Sequence, residues 1–197
     1  MLVAGVAATV GTVADVVGQV AGPQCGVLQW AARLRFRHGQ AARFHDPVIT
    51  LSGLDALRAR IGQDLGTSSW HLVTQERIQA FADATEDWER IHVDPVRAAE
   101  TPFGTTIAHG LYTLSLGPRC LYEIFEMTGH SLGLNYGFDR VRFLSPVPVD
   151  SAIRMTAHLL GTAPLEGGAR FRIRQTFEIR GATKPACVAE SIIAYFD

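Results

Sequence analysis

Asp87, His92 and Asp94 fall within one short stretch, "ATEDWERIHVD". A histidine titrates near neutral pH, and a nearby carboxylate raises the ring's pKa and orients the imidazole. Asp87 and His92 at this spacing can hold one water between them and move its proton. The same residues have an ordinary use, because aspartate closes turns and histidine sits on solvated loops. Local sequence alone favours that ordinary use.

A second stretch shifts the balance. In "PFGTTIAHGLYTLSL", Gly110 opens an apolar helix. The first N–H groups of a helix lack intrahelical partners and carry the positive end of its dipole. A glycine there lets a carbonyl oxygen approach closely, which makes its N–H a candidate oxyanion donor. His109, at the helix start, reads as structural. His92, Asp94 and His109 complete no set at metal-ligand spacing, so no metal is expected.

These groups need elements to position them. "SWHLVT" at 69–74 alternates like a strand, and Thr74 can cap a helix carrying Glu76 in its first turn and ending near Thr85. The segment holding Asp87 and His92 then reads as irregular. Asp94-Pro95 is a cap followed by proline at the first helical position, and that helix stops before Pro102. In "LYTLSLGPRCLYEIFEMTGH", Leu111, Leu114, Pro118, Leu121 and Phe125 keep helical spacing, with Tyr112, Leu116 and Ile124 on other faces. Such a helix is expected to be buried, with Pro118 bending it. From residue 132 the pattern turns to strands. "ARFRIRQTFEIR" alternates Phe171, Ile173, Phe177 and Ile179 with charged residues, and "AIRMTAHLL" and "ACVAESIIAYF" are comparable. The order predicts an α+β fold, one buried helix wrapped by an antiparallel sheet. Arg170, Arg172 and Arg174 share one strand face, read as solvated, with coenzyme A phosphate binding as the lesser alternative.

Composition narrows the function classes. The chain has 197 residues, 47% hydrophobic and 19% charged, enough for one well-cored domain. A net charge of −1 supplies no global field for nucleic acid or an anionic membrane. Cys25, Cys120 and Cys187 are odd in number and without Cys-x-x-Cys spacing, which points to a reducing, cytoplasmic compartment. The first 47 residues differ: an Ala/Gly-rich apolar run broken by Asp15, then a segment with Arg33, Arg35, Arg37 and Arg43. The run is too interrupted for a membrane span and lacks the basic start of a signal peptide. It is expected to be an appendage, with the core at 48–197.

"DWERIHVDPVRAAETPFGTTIAHG" resembles the hydratase motif of MaoC-like dehydratases, the (R)-specific enoyl-CoA hydratases, including the NodN-like branch. The family pattern is roughly Gly-Asp-x-Asn-Pro-x-His-x-Asp followed downstream by Ile-x-His-Gly, and "NYGFDRVRFLSPVPVDSAIRMTAHL" is similar to its sheet segment. The likeness runs from about residue 49 to the C-terminus. It implies the hot-dog fold, usually a homodimer joined edge to edge, and reversible addition of water across the 2,3 double bond of an enoyl thioester to give the (R)-3-hydroxyacyl product. It implies Asp87 and His92 as the catalytic pair and Gly110 N–H as the oxyanion donor. It implies no metal or redox cofactor, since coenzyme A belongs to the substrate; the partner is an acyl-CoA or acyl carrier protein thioester. Glu86 replaces the family's glycine, and Glu89-Arg90 replace its Asn-Pro. Two alternatives stay open: a hot-dog acyl-thioesterase, against which the Asp-x4-His and His-Gly arrangement argues, and a non-catalytic acyl-binding or heterodimer partner subunit.

Overall fold

The computed structural model describes Ile49–Asp197, so the appendage expected at 1–47 lies outside the described residues. The chain runs β1 (Ile49–Ser52), α1 (Gly53–Arg58), β2 (Asp64–Thr67), β3 (His71–Leu72), α2 (Gln75–Thr85), α3 (Arg90–Val93) and α4 (Pro95–Ala99). It continues through α5 (Gly110–Ser115), α6 (Gly117–Ile124), β4 (Phe125–Thr128), β5 (Leu132–Phe143), β6 (Ala152–Leu165), β7 (Gly168–Ile179) and β8 (Cys187–Phe196).

A six-stranded antiparallel sheet, ordered β2-β6-β7-β8-β5 with β3 also on β6, carries α5 and α6 on one face. Alternation sets that face. Ile153, Met155, Ala157 and Leu159 of β6 and Phe171, Ile173 and Phe177 of β7 are buried, together with Leu121 and Ile124 of α6. Each large apolar side chain buried this way contributes roughly 1.5–3 kcal/mol. The arginines of β7 point the other way, as expected for a solvated face: Arg172 lies 3.5 Å from Asp139, Arg174 3.7 Å from Glu190, and Arg170 over the Tyr136 ring. This α+β arrangement is the hot-dog architecture.

The capping signals hold. Thr74 Oγ1 accepts the Arg77 N–H, and Asp94 Oδ1 accepts those of Val96 and Arg97 ahead of Pro95. Five expectations need correction. The strand at 69–74 shrinks to His71–Leu72. His92 sits in a helical turn, α3, and not in an irregular segment. The central helix is two pieces meeting at Leu116, because Pro118 offers no N–H to the preceding turn and Leu116 N–H bonds three residues back, to Thr113. It also stops at Ile124, where Phe125–Thr128 becomes a strand paired in parallel with β1. That helix is not buried all round: Leu111 and Tyr122 are exposed.

Candidate active site

Asp87 owes its position to the end of α2. Glu86 adopts a left-handed backbone, φ 58°, and the N–H groups of Glu86 and Asp87 both return to the Ala82 carbonyl. A left-handed residue at this point is how many helices terminate, usually with glycine. The position the family fills with glycine is thus one that demands positive φ. Trp88 is tied back by its indole N–H to Asp83, 2.8 Å. Glu89 then caps α3, its side chain accepting its neighbour Arg90's N–H at 3.0 Å. An Asn-Pro pair is itself a cap-and-start signal, so Glu89-Arg90 preserve the local geometry by another route.

His92 is held twice. Its Nδ1 lies 2.7 Å from the Ile107 carbonyl, which makes Nδ1 the protonated nitrogen and leaves Nε2 with its lone pair open. Its own carbonyl accepts the Gln75 side-chain N–H at 2.8 Å, and Gln75 Oε1 accepts the Thr106 hydroxyl at 2.5 Å. Burial lowers the His92 pKa, opposed by the Ile107 bond and the Asp87 charge and reinforced by His109. The ring is therefore neutral at pH 7 and available as a base.

His109 is nearly fully buried at the N-cap of α5. Its Nε2–H donates to the Asp87 carbonyl at 2.9 Å and lies 3.9 Å from the Asp87 carboxylate. Its ring stacks on His92 with centroids 3.8 Å apart, and Phe81 packs against it at 5.1 Å. His109 thus fixes Asp87 and His92 relative to each other across 22 residues of sequence. Gly110 follows as the first residue of α5. A Cβ there would meet the Phe143 ring at 2.9 Å, so any other residue obliges that ring to shift.

The structure brings Asp87, His92 and His109 together, one donor atom from each lying within 4.8 Å of the others. Asp94 is occupied as the α4 cap and stands apart from them. A metal ion fits this trio poorly. His92 Nδ1 and His109 Nε2 are already committed, one to the Ile107 carbonyl and the other to the Asp87 carbonyl, which leaves each ring one nitrogen. A water, which accepts and donates at hydrogen-bond distances, suits it better. Sequence reading missed Gln75, Thr106 and Phe143, and undervalued His109. Only the Ile-x-His-Gly resemblance signalled the last, because its contacts are long-range.

Comparison with known proteins sorts the chain. Residues 56–174 match the family model described as "MaoC like domain". The chain is 48% identical over 147 residues to 3-hydroxyacyl-thioester dehydratase Z of Mycobacterium tuberculosis, covering 74% of this chain and 97% of that protein. It is 44% identical over 144 residues to nodulation protein N of Rhizobium leguminosarum bv. viciae, 71% of this chain and 89% of the relative. Among solved structures it superposes on the (R)-hydratase from A. caviae involved in PHA biosynthesis, with TM-score 0.53, 22% identity, and 68% and 94% of the two chains covered. Matching the family model over more than half its length, and a named dehydratase at 48% identity over 74% of the chain, the chain belongs to the MaoC-like dehydratases and is a hydro-lyase.

Proposed function

We propose that the protein is an (R)-specific enoyl-thioester hydratase, adding water reversibly across the 2,3 double bond of an enoyl-CoA. One observation carries this reading: His92 presents an unprotonated Nε2 beside the exposed Asp87 carboxylate, next to the start of α5. Water held between them gives a proton to the pair as its oxygen bonds C3. The electrons of the double bond move toward the thioester oxygen, and the same pair returns a proton to C2. Gly110 N–H stabilises the enolate oxygen, a contact of the kind whose removal costs about 2.7–4 kcal/mol in barrier. No metal or redox cofactor enters the scheme.

The acyl chain has a place to go. A largely apolar cavity of about 480 Å³ lies beside α6, lined by Pro118, Leu121, Phe125, Leu134, Phe138 and Ile193. Pro118, at the start of α6, stands eight residues beyond Gly110. The sheet edge at β5 exposes Leu132, Leu134, Tyr136 and Phe138 beside unpaired backbone groups, which supports a homodimer formed there. Residues 48–197 form the catalytic unit on this reading. Among the described residues no helix is long and apolar enough to cross a membrane. Cys120 and Cys187 are free thiols, which suits the cytoplasm.

Incubation with crotonyl-CoA decides among the functions. A hydratase removes the enoyl absorbance without releasing thiol, a thioesterase releases thiol, and an acyl-binding subunit does neither.

A further inference from the structure

The cavity beside α6 has one wall residue that a plain hydrocarbon chain does not need. The inward positions of β7 run Phe171, Ile173, Gln175 and Phe177, and all four are buried. Gln175 is the polar exception, 2% exposed, and it lines the cavity together with Pro118, Leu121 and Ile193. An amide taken out of water costs free energy unless both its nitrogen and its oxygen are hydrogen-bonded.

Hydrogen bonding fixes how this amide points. Ser191, also buried, gives its hydroxyl proton to the Ile173 carbonyl at 3.2 Å, because a carbonyl only accepts. Ser191 Oγ therefore meets Gln175 as an acceptor, and the atom 3.0 Å away is the amide nitrogen. Oε1 is left at the other end, buried and without a hydrogen-bond partner among the described residues. It is turned toward the start of α6: a Cβ built on Gly117 would come within 2.6 Å of it. Glycine at that position leaves the amide its room.

Gln175 stands at the catalytic end of the cavity. Phe143, whose ring lies against Gly110, pairs with Cys187, and Cys187 pairs with Phe177. Gln175 is the next inward residue along β7. Tyr195, which also lines the cavity, pairs with Ala169, six residues further down that strand.

We propose that Gln175 Oε1 accepts a hydrogen bond from a hydroxyl group on the acyl chain, so that the preferred thioester carries a chain hydroxylated beyond its reacting carbons. The proposal rests on the hydratase reading for the thioester and deepens it by naming the chain. An amide oxygen, unlike a carboxylate, offers no countercharge to an ammonium group taken out of water. An amide donor would bring a carbonyl of its own that needs bonding. A hydroxyl brings one proton and little other polar surface. A site built to bond a hydroxyl discriminates against the analogue that lacks it, because the buried acceptor then stays unpaired.

The test compares 2-decenoyl-CoA with its monohydroxylated derivatives, the hydroxyl placed in turn at each carbon from C5 to the chain end. The wild type is expected to favour one of them about tenfold in kcat/KM, within the range of a single neutral hydrogen bond to a buried group. Gln175→Leu keeps the volume and removes the acceptor, and should bring that ratio to one or below. Gly117→Ala obliges the amide end to shift and should lower the ratio as well; it carries the comparison if Gln175→Leu does not fold. Equal kcat/KM on plain and hydroxylated chains in the wild type overturns the proposal, as does a preference undiminished in the variants. If the wild type hydrates neither crotonyl-CoA nor the longer chains, the hydratase reading fails by itself. Calorimetry with decanoate and the hydroxydecanoates then decides the cavity: tighter binding of one hydroxylated acid upholds the proposal, and its absence overturns it.

Discussion

The fold holds two histidine–carboxylate arrangements, and they are built for opposite ends. His71 Nε2 sits 3.2 Å from Glu123 Oε1, and both side chains are almost wholly buried, 5% and 2% exposed. The second Glu123 oxygen accepts both the N–H and the hydroxyl of Ser69, at 3.0 and 2.7 Å, with Arg119 3.6 Å from the first. One Glu123 oxygen takes two hydrogen bonds and the other only charge contacts, all out of water, and what the group does is hold the strand-entry loop against α6. Asp87, by contrast, is 56% exposed, and His92 keeps one nitrogen open. A pair buried in the core stabilises; an open one beside solvent can take a substrate. The difference lies in exposure, not in residue type.

The largest expected effect tests the open side. Asp87→Asn and His92→Gln should each lower hydration by about 10²–10⁴-fold, the usual contribution of a general acid–base group, with the thermal transition preserved. Near wild-type turnover in either variant removes that residue from the mechanism. The pH dependence sharpens it. Burial holds the His92 pKa below the usual 6.5, so kcat/KM should persist below pH 6.5 and fall only as the ring protonates. The folded state binds this proton less readily than the unfolded chain. Its stabilising share is therefore fully present above about pH 6.5 and is lost as pH falls toward the lowered value.

The buried side should show the reverse pattern. Burial raises the Glu123 pKa, but the Ser69 hydrogen bonds and the charges of His71 and Arg119 outweigh it and hold the carboxylate ionised. Glu123→Gln leaves buried donors facing an amide and should cost about 1–3 kcal/mol of stability. The kcat of the folded fraction should not change. A fall in kcat with an unshifted Tm would mean that the clasp belongs to the site.

The same contrast explains what the sequence disclosed. Caps at Thr74 and Asp94-Pro95 and the alternation of β6, β7 and β8 were legible because they rest on neighbours in the chain. The helix stop at Ile124 was not, because Phe125 keeps helical spacing and its strand depends on pairing with Ile49, far away in sequence. In the site, Asp87, His92 and Gly110 were named from their motifs. The clamp formed by His109, Gln75 and Thr106 was hidden, since each of its bonds joins segments at least 15 residues apart.

A smaller effect is expected at Glu86. A side chain in the left-handed region costs about 1–2 kcal/mol, and glycine gives back roughly 0.4–1 kcal/mol through its freer unfolded state. Glu86→Gly should therefore stabilise by about 1 kcal/mol, a rise of roughly 2–4 °C in Tm, with kcat unaltered. A lower Tm would show that the Glu86 side chain makes a contribution larger than its backbone strain.

The smallest effect belongs to Glu89, two residues from Asp87. Two carboxylates facing one pocket repel, and one of them is pushed to a higher pKa. The structure gives Glu89 another occupation: its carboxylate turns back onto the Arg90 N–H at 3.0 Å and caps α3 from an exposed position. It contributes least among the charges named as acting on His92, after Asp87. Asparagine caps as well as any residue. Glu89→Asn should thus keep α3, the His92–Ile107 bond and the stability, and move the acidic limb of the pH–rate profile by only a small fraction of a unit. The direction is fixed, because removing a negative charge lowers the His92 pKa and carries the limb to lower pH. A shift of a full unit would place Glu89 inside the pocket with Asp87, and the open carboxylate of the site would then be a pair.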